Sequence, residues 1–506
     1  MKRSILAGLG LLLLSAAAAS GQDAATWPGY QPIPKGYDYM NPATIKALEA
    51  AVAAGDHKTV REHGWKLWAG IMQPASGLTW PVWYTWPNTF YAFSEQTSTA
   101  LAANGAVNGA PSNSMSIIAR NNSLGAGKLG PAALGATPGV TVIPIDTPNQ
   151  PIYPIPAAVT KAYPKATKLC NNSSNTNICD GAHFQNNGDV MIVTESLSND
   201  NYNFIRAPAQ PLYKQSTLND LYKKKEHELP TPQTAIVTKH MFWPVKANMM
   251  GVLPVWHDYQ GPNYPNYIGY ETWTDFVAID PTGKQVGQKT NISFLYGVQR
   301  SDKTAWPTAT ASNVPVYGLD SFYYHQVTQA DWASFDEADK AILSAASYWA
   351  YNKPFEPGDY VVTIAMHVNT KEIPTWALQS VWWSDHPNDG VYAADRPDLP
   401  QAVGPWKNYL LVDSYGIPDK TTGNQPVEMN PYIELVIHPV ATNCNDCHNR
   451  AGWPQSKDQG KTGASYQNQS CPYSLSTLNP SSPCLKGLLL SDFQWIIPDR
   501  AKAATK

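Results

Sequence analysis

The sequence predicts an α+β fold: short strands joined by long loops rich in proline and aromatic residues, with a few helices. Two observations lead to this. Forty-three prolines and 18 tryptophans are spread through 506 residues, and proline at that density interrupts helices and central strands. Short runs of β-branched and aromatic residues bounded by turn formers then alternate with few clear helical patterns.

The chain opens on Lys2-Arg3, an apolar run from Ile5 to Leu14 and small residues from Ala16 to Ala19. This order is that of a secretory leader, expected to be absent from the mature protein, so residues 1–19 are set apart from the fold. Its apolar stretch is too short to span a membrane in the ordinary way, and no later stretch approaches the roughly 20 apolar residues needed. A soluble periplasmic product is expected. The net charge of −3 becomes slightly more acidic once the leader is removed, and Lys223 to Lys225 are the only basic cluster. Neither nucleic acid nor a membrane surface is therefore expected as a partner.

Asn41-Pro42 begins the first helix, with Asn as cap and Pro in the first turn, and Ile45, Leu48 and Val52 recur at helical spacing. Gly55-Asp56 ends it, and a second helix carries Val60, Trp65 and Trp68. The stretch Leu78 to Phe93 is aromatic and broken by proline, which fits packed irregular structure. Residues 100–165, rich in Ala, Gly, Asn and Pro, read as a long loop. Strands are expected at Asp189–Thr194, Thr234–Thr238, Tyr270–Ile279 and Gly358–Val368. One helix, capped by Thr328 and carrying Trp332, Phe335, Ala338, Ile342, Ala345 and Trp349 on its buried face, runs toward Pro354. No repeat and no linker divides the chain, so residues 20–430 read as one large α+β domain and 431–506 as a C-terminal segment folded against it.

That last segment carries the sharpest motif, Cys444-Asn445-Asp446-Cys447-His448. Two thiols separated by two residues match the two vinyl groups of a haem, and the next His supplies the proximal iron ligand. A zinc site would need two more ligands close by, and Asn449 to Pro454 offer none. The motif predicts one covalent haem c held by Cys444, Cys447 and His448. The other four cysteines, in an oxidising compartment, are expected to pair locally as Cys170–Cys179 and Cys471–Cys484.

Nothing after His448 is Met or His. A sixth iron ligand of either type must come from upstream, so the haem is expected to pack against the large domain. The order of preference is His367, then His240, then Met366. Alternation along Tyr360–Val368 lets only one of Met366 and His367 face the haem. His240-Met241, Met249, Met250 and His257 are further candidates, and His438 lies too close to Cys444 to reach the opposite face. Leu488 to Leu490, Phe493 and Trp495 could cover the macrocycle.

The segments Met366-His367-Val368-Asn369-Thr370-Lys371-Glu372-Ile373-Pro374, Val381-Trp382-Trp383-Ser384-Asp385-His386-Pro387, Gly404-Pro405-Trp406-Lys407-Asn408-Tyr409 and Asn430-Pro431-Tyr432, followed by the terminal motif, resemble little-characterised bacterial cytochrome c family proteins with a single C-terminal haem motif. The resemblance covers residues 355–455 and implies haem binding without implying an activity.

Three function classes follow: a periplasmic electron carrier, a haem-dependent oxidoreductase with an open distal site, and a haem-based sensor or binding protein. Electron transfer is the leading expectation, with a redox partner protein or a small substrate as the partner. A chain several times longer than one small domain implies more than haem carriage. A single haem motif speaks against di-haem peroxidases and multihaem wires. The pairs His257-Asp258 and Asp385-His386, with Asp275 and Glu372, are acid–base candidates.

Overall fold

A computed structural model describes residues 26–78, 80–94, 155–166, 192–257, 275–294, 309–418, several positions between 420 and 435, 443–454 and 485–502. The leader, the two expected cysteine pairs, His438 and Asp258 lie outside the described residues.

The fold is α+β. Helix α1 (Pro42–Ala54) starts where Asn41 accepts the amides of Ala43 and Thr44, and ends at Gly55 in the left-handed conformation. Helix α2 (His57–Ile71) follows at once, with the Asp56 carboxylate accepting the Thr59 amide. Between here and the first strand, the described residues include two short α-helices, α3 (Thr89–Ala92) and α4 (Ala157–Ala162). The second of these falls at the end of the stretch expected to be loop.

Strand β1 (Ile192–Leu197) leads to α5 (Asn199–Ile205), α6 (Gln215–Lys223) and β2 (Ile236–Val245). Next come β3 (Gly251–Val255), β4 (Asp275–Ile279), β5 (Lys289–Phe294), β6 (Ala309–Tyr317) and β7 (Tyr324–Gln326). The helix expected after Thr328 is two helices, α7 (Gln329–Ser334) and α8 (Glu337–Tyr351). Thr328 and Asp331 form a capping box for the first, Phe335 is extended, and Asp336 caps the second through the Asp339 amide. The Asp336 side chain offers the backbone a new start, which apolar spacing alone does not register.

Strands β8 (Tyr360–Thr370), β9 (Ala377–Trp383) and β10 (Tyr409–Ser414) complete a six-stranded sheet ordered β1-β2-β8-β9-β10, with β7 on β8. All its pairings are antiparallel. A second sheet, β3-β4-β6-β5, has four strands. Buried on both faces, β9 and β10 show no strict alternation of apolar and polar residues, and so escape a period-2 search. The strand expected at Thr234–Thr238 begins at Ile236 and runs on to Val245 through His240 and Pro244.

One face of the large sheet lies against α2. The Gly64 position on that helix approaches Gln379 and Leu411 so closely that a Cβ would lie 2.7 Å from the Gln379 side chain. Trp65 and Trp68, both fully buried, anchor α2 in the main core with Trp382, Trp383 and Tyr409. The opposite face receives Asn430, whose amide donates to Ser380 Oγ at 2.7 Å and to the Val381 carbonyl at 2.9 Å. It also receives the C-terminal segment, built from α9 (Cys444–His448), β11 (Gly452–Trp453), β12 (Leu489–Leu490) and α10 (Ile496–Arg500). Among the described residues no helix is long and apolar enough to cross a membrane.

Candidate functional site

The pentapeptide Cys444 to His448 forms the single turn α9. Asn443 caps it by accepting the Asp446 amide at 2.8 Å. Its residues divide by burial: Asn445 and Asp446 are buried, whereas Cys444, Cys447 and His448 are half-exposed. A helical turn puts positions three and four apart on one side, which groups both thiols and the imidazole and turns the spacers inward.

Each spacer is fixed. The Asn445 amide N–H donates to Ser414 Oγ at 3.1 Å, and its side chain donates to the Thr375 carbonyl at 3.3 Å. This places α9 on the end of β10 and the start of β9. Gly416, at φ +74°, allows the approach, since a Cβ there would meet the Asn445 side chain at 3.3 Å. The Asp446 carboxylate accepts Arg450 Nη2 at 3.0 and 3.1 Å, and both side chains are almost wholly buried. Arg450 Nε also donates to the Asp446 carbonyl. The pair cancels two buried charges within one i, i+4 step, a spacing readable in the sequence.

His448 Nδ1 lies 2.7 Å from the Phe493 carbonyl oxygen. A carbonyl only accepts, so Nδ1 carries the proton and Nε2 is the basic nitrogen of the ring. A metal-ligating imidazole is ordinarily oriented in this way, through its other nitrogen. The carbonyl belongs to a strained corner: Asp492 and Phe493 have φ of +48° and +64°, a conformation that costs a non-glycine residue about 1–2 kcal/mol each. The surroundings hold it. Asp492 Oδ1 accepts Lys371 Nζ at 2.7 Å and Trp376 Nε1 at 3.0 Å, and the Phe493 and Trp376 rings stack 6.5 Å apart. Trp495 Nε1 donates to the Cys447 carbonyl at 3.1 Å. Thus Phe493 and Trp495, expected to cover a macrocycle, brace the motif itself.

Cys444 packs against the buried cluster of Ala235, Trp376, Leu378 and Phe493, and its thiol lies 3.8 Å from the Glu428 carbonyl. Burial pushes the Glu428 carboxyl well above its usual range, and the Asp413 charge adds to this, so the group is neutral beside the motif.

Strand register shows which upstream candidates share the motif's side. Val237, Asn369, Leu378 and Ser414 form one cross-strand row, and α9 bonds to Ser414 and packs against the cluster that contains Leu378. The next row on the same face is Glu195, Lys239, His367, Ser380 and Val412. His367 therefore lies on the motif's side of the sheet, one row or about 7 Å along. It is buried there to 9% exposure. Met241 is on this face one row further.

His240 and Met366 pair with each other on the opposite face. The His240 ring is fully buried and stacked on Trp83 at 3.7 Å. Burial drives it far below the usual imidazole range and keeps it neutral. Neither residue can reach α9 through the sheet.

The structure also locates the acid–base candidates. Glu372 is a buried bridge, accepting the Met40 amide and Thr370 Oγ1 and lying 3.0 Å from His63 Nε2. Burial alone would raise its carboxyl, but these partners outweigh it and hold it below the usual range. His257, Asp275, Asp385 and His386 come together elsewhere, at the far end of β9. What the motif could not announce is the Phe493 carbonyl, because a backbone acceptor carries no residue identity.

No protein-family model matches the chain, and no curated protein or solved structure is significantly similar to it.

Proposed function

We propose that the chain is an exported c-type haem protein that transfers single electrons in the periplasm, of the kind found among little-characterised bacterial cytochrome c family proteins. Cys444 and Cys447 are its thioether anchors, His448 its proximal ligand and His367 its distal ligand. The observation that carries the reading is the His448 Nδ1–Phe493 carbonyl contact of 2.7 Å, which aims the opposite nitrogen of a half-exposed imidazole beside two half-exposed thiols. Bound there, the haem supplies a one-electron iron couple.

The chain's own residues do the rest. Asn445, Asp446 and Arg450 hold the turn rigid. The Phe493 carbonyl fixes the imidazole tautomer, and a basic ligand so oriented favours tight iron binding. Neutral Glu428 and the internal Asp446–Arg450 pair keep uncompensated charge away from the motif. His367 sits on a strand with neighbours on both sides, a rigid platform for a sixth ligand.

The test is a set of absorption spectra of ferric and ferrous protein with and without carbon monoxide, alongside a redox titration. A carrier gives six-coordinate low-spin spectra, a reversible one-electron wave and no response to carbon monoxide. Rapid carbon monoxide binding with peroxide reactivity would replace this reading with that of a haem-dependent oxidoreductase.

A further inference from the structure

A second group of ligand-bearing side chains occupies the other end of β9, about 20 Å along the strand from its haem-motif end. Asp385 and His386 follow that end directly. His257 lies two residues beyond β3, and Asp275 opens β4 opposite Val255. The group thus bridges the edge of the four-stranded sheet and a central strand of the six-stranded one.

His257 Nε2 is 2.6 Å from Asp385 Oδ1, and His386 Nε2 is 3.5 Å from Asp385 Oδ2. The three donor atoms lie within 4.8 Å of one another. Each imidazole also has an outer carboxylate on its other nitrogen: Asp275 is 3.6 Å from His257 Nδ1, and Asp389 is 3.2 Å from His386 Nδ1. Both rings therefore turn Nε2 toward Asp385 while a carboxylate lies on the Nδ1 side, hydrogen-bonded for His386 and at ion-pair distance for His257, the arrangement that orients and strengthens metal-bound histidines. Among the described residues no lysine or arginine pairs with Asp385, whose side chain is only 6% exposed. Three carboxylates thus surround two imidazoles whose ring centres are 4.7 Å apart.

We propose that His257, Asp385 and His386 bind one divalent transition-metal ion of the zinc class, with Asp275 and Asp389 as positioning residues and solvent in the remaining coordination position. Two imidazoles and one carboxylate suit zinc, copper or nickel far better than magnesium or calcium, which prefer oxygen donors. His386 is 57% exposed, which gives the ion a route in. The ion ties the two sheets together at this seam. Nothing in the assignment depends on the haem, which concerns other residues at the opposite end of the strand.

The experiment is calorimetric titration of zinc(II) into the haem-loaded, chelator-treated protein, with magnesium as the control. One equivalent of zinc should bind and raise the melting temperature. His257→Gln and His386→Gln should weaken binding by at least about 100-fold, and Asp389→Asn by about tenfold. Because Asp389 is 74% exposed, its variant folds whatever the others do. Zinc binding no tighter than magnesium in the wild type, or unchanged affinity in Asp389→Asn together with either histidine variant, overturns the proposal.

Discussion

The two faces of the six-stranded sheet are made of alternate residues on the same strands, yet among the described residues they meet different neighbours: α2 covers one and α9 the other. Under α2 the face is closed. His240, Met366, Val381 and Leu411 form one cross-strand row there, and two of the face's polar side chains are tied to neighbours, Asp413 to Arg61 at 2.8 Å and Gln379 to Tyr415 at 3.0 Å. The other face carries Lys239, His367, Asn369, Ser380 and Ser414 and receives Asn430 and α9. A shift of one residue in β8 would exchange the two sets. Adjacent residues such as Met366 and His367 therefore lie on opposite faces, and the register decides which of them shares a side with α9.

The comparison is broken most severely at the iron. His367→Ala should convert a low-spin spectrum to high-spin, whereas His240→Ala should leave the iron spectrum unchanged and cost about 3 kcal/mol through the cavity beside Trp83. A spectral change in His240→Ala with none in His367→Ala would reverse the assignment of the faces.

The next effect is on the clamp that holds the C-terminal segment to the ligand face. Arg500 Nη2 is 2.8 Å from Glu195 Oε2, and Lys239 Nζ is 3.4 Å from Glu195 Oε1. Burial would raise the Glu195 carboxyl, but Arg500 and Lys239 more than reverse this and bring it to about 2. A depressed carboxylate stabilises the fold above its unfolded pKa of about 4.5, and this contribution is lost as pH falls toward 2. Arg500→Ala should cost about 3 kcal/mol at neutral pH. Urea melts at pH 7 and pH 3 should show the variant and the wild type far apart at the first and closer at the second.

Gly416→Ala should cost about 1–2 kcal/mol, because φ is +74° and the added carbon crowds Asn445. The smallest effect has the opposite sign. The Glu428 carboxyl retains its proton in the fold above the pH at which it would lose it in the unfolded chain, since burial and Asp413 disfavour its charge. The folded state then binds more protons, and stability falls as pH rises past about 4.5. Glu428→Gln should be more stable than the wild type at pH 8 and equal to it at pH 4, as thermal melts would show.

Much of this was legible in the residues, for reasons that are local. Asn41 and Thr328 are helix caps because their side chains meet amides one turn on, and the alternation of β8 sorted Met366 from His367 before any partner strand was known. The spacing of Cys444, Cys447 and His448 matches two vinyl groups and an iron ligand, and the helical turn puts the three on one side. The rest depends on contacts across long stretches of sequence. His257 and Asp385 are 128 residues apart, and each alone resembles an ordinary polar residue. Strands β9 and β10, covered on both faces, lack the alternation that would reveal them. The left-handed corner at Asp492 and Phe493 contains no glycine, so no residue type marked the carbonyl on which His448 rests.

The central claim is the covalent attachment of haem at α9, and peptide mapping by mass spectrometry tests it most directly. Protein made with a cytochrome maturation system and digested under denaturing conditions should yield a peptide containing Cys444, Cys447 and His448 that carries haem on both sulfurs. The Cys444→Ala, Cys447→Ala double variant should lose the haem during denaturing electrophoresis. Wild-type haem that is extracted by acid acetone, or a peptide recovered with both cysteines unmodified, would contradict the account.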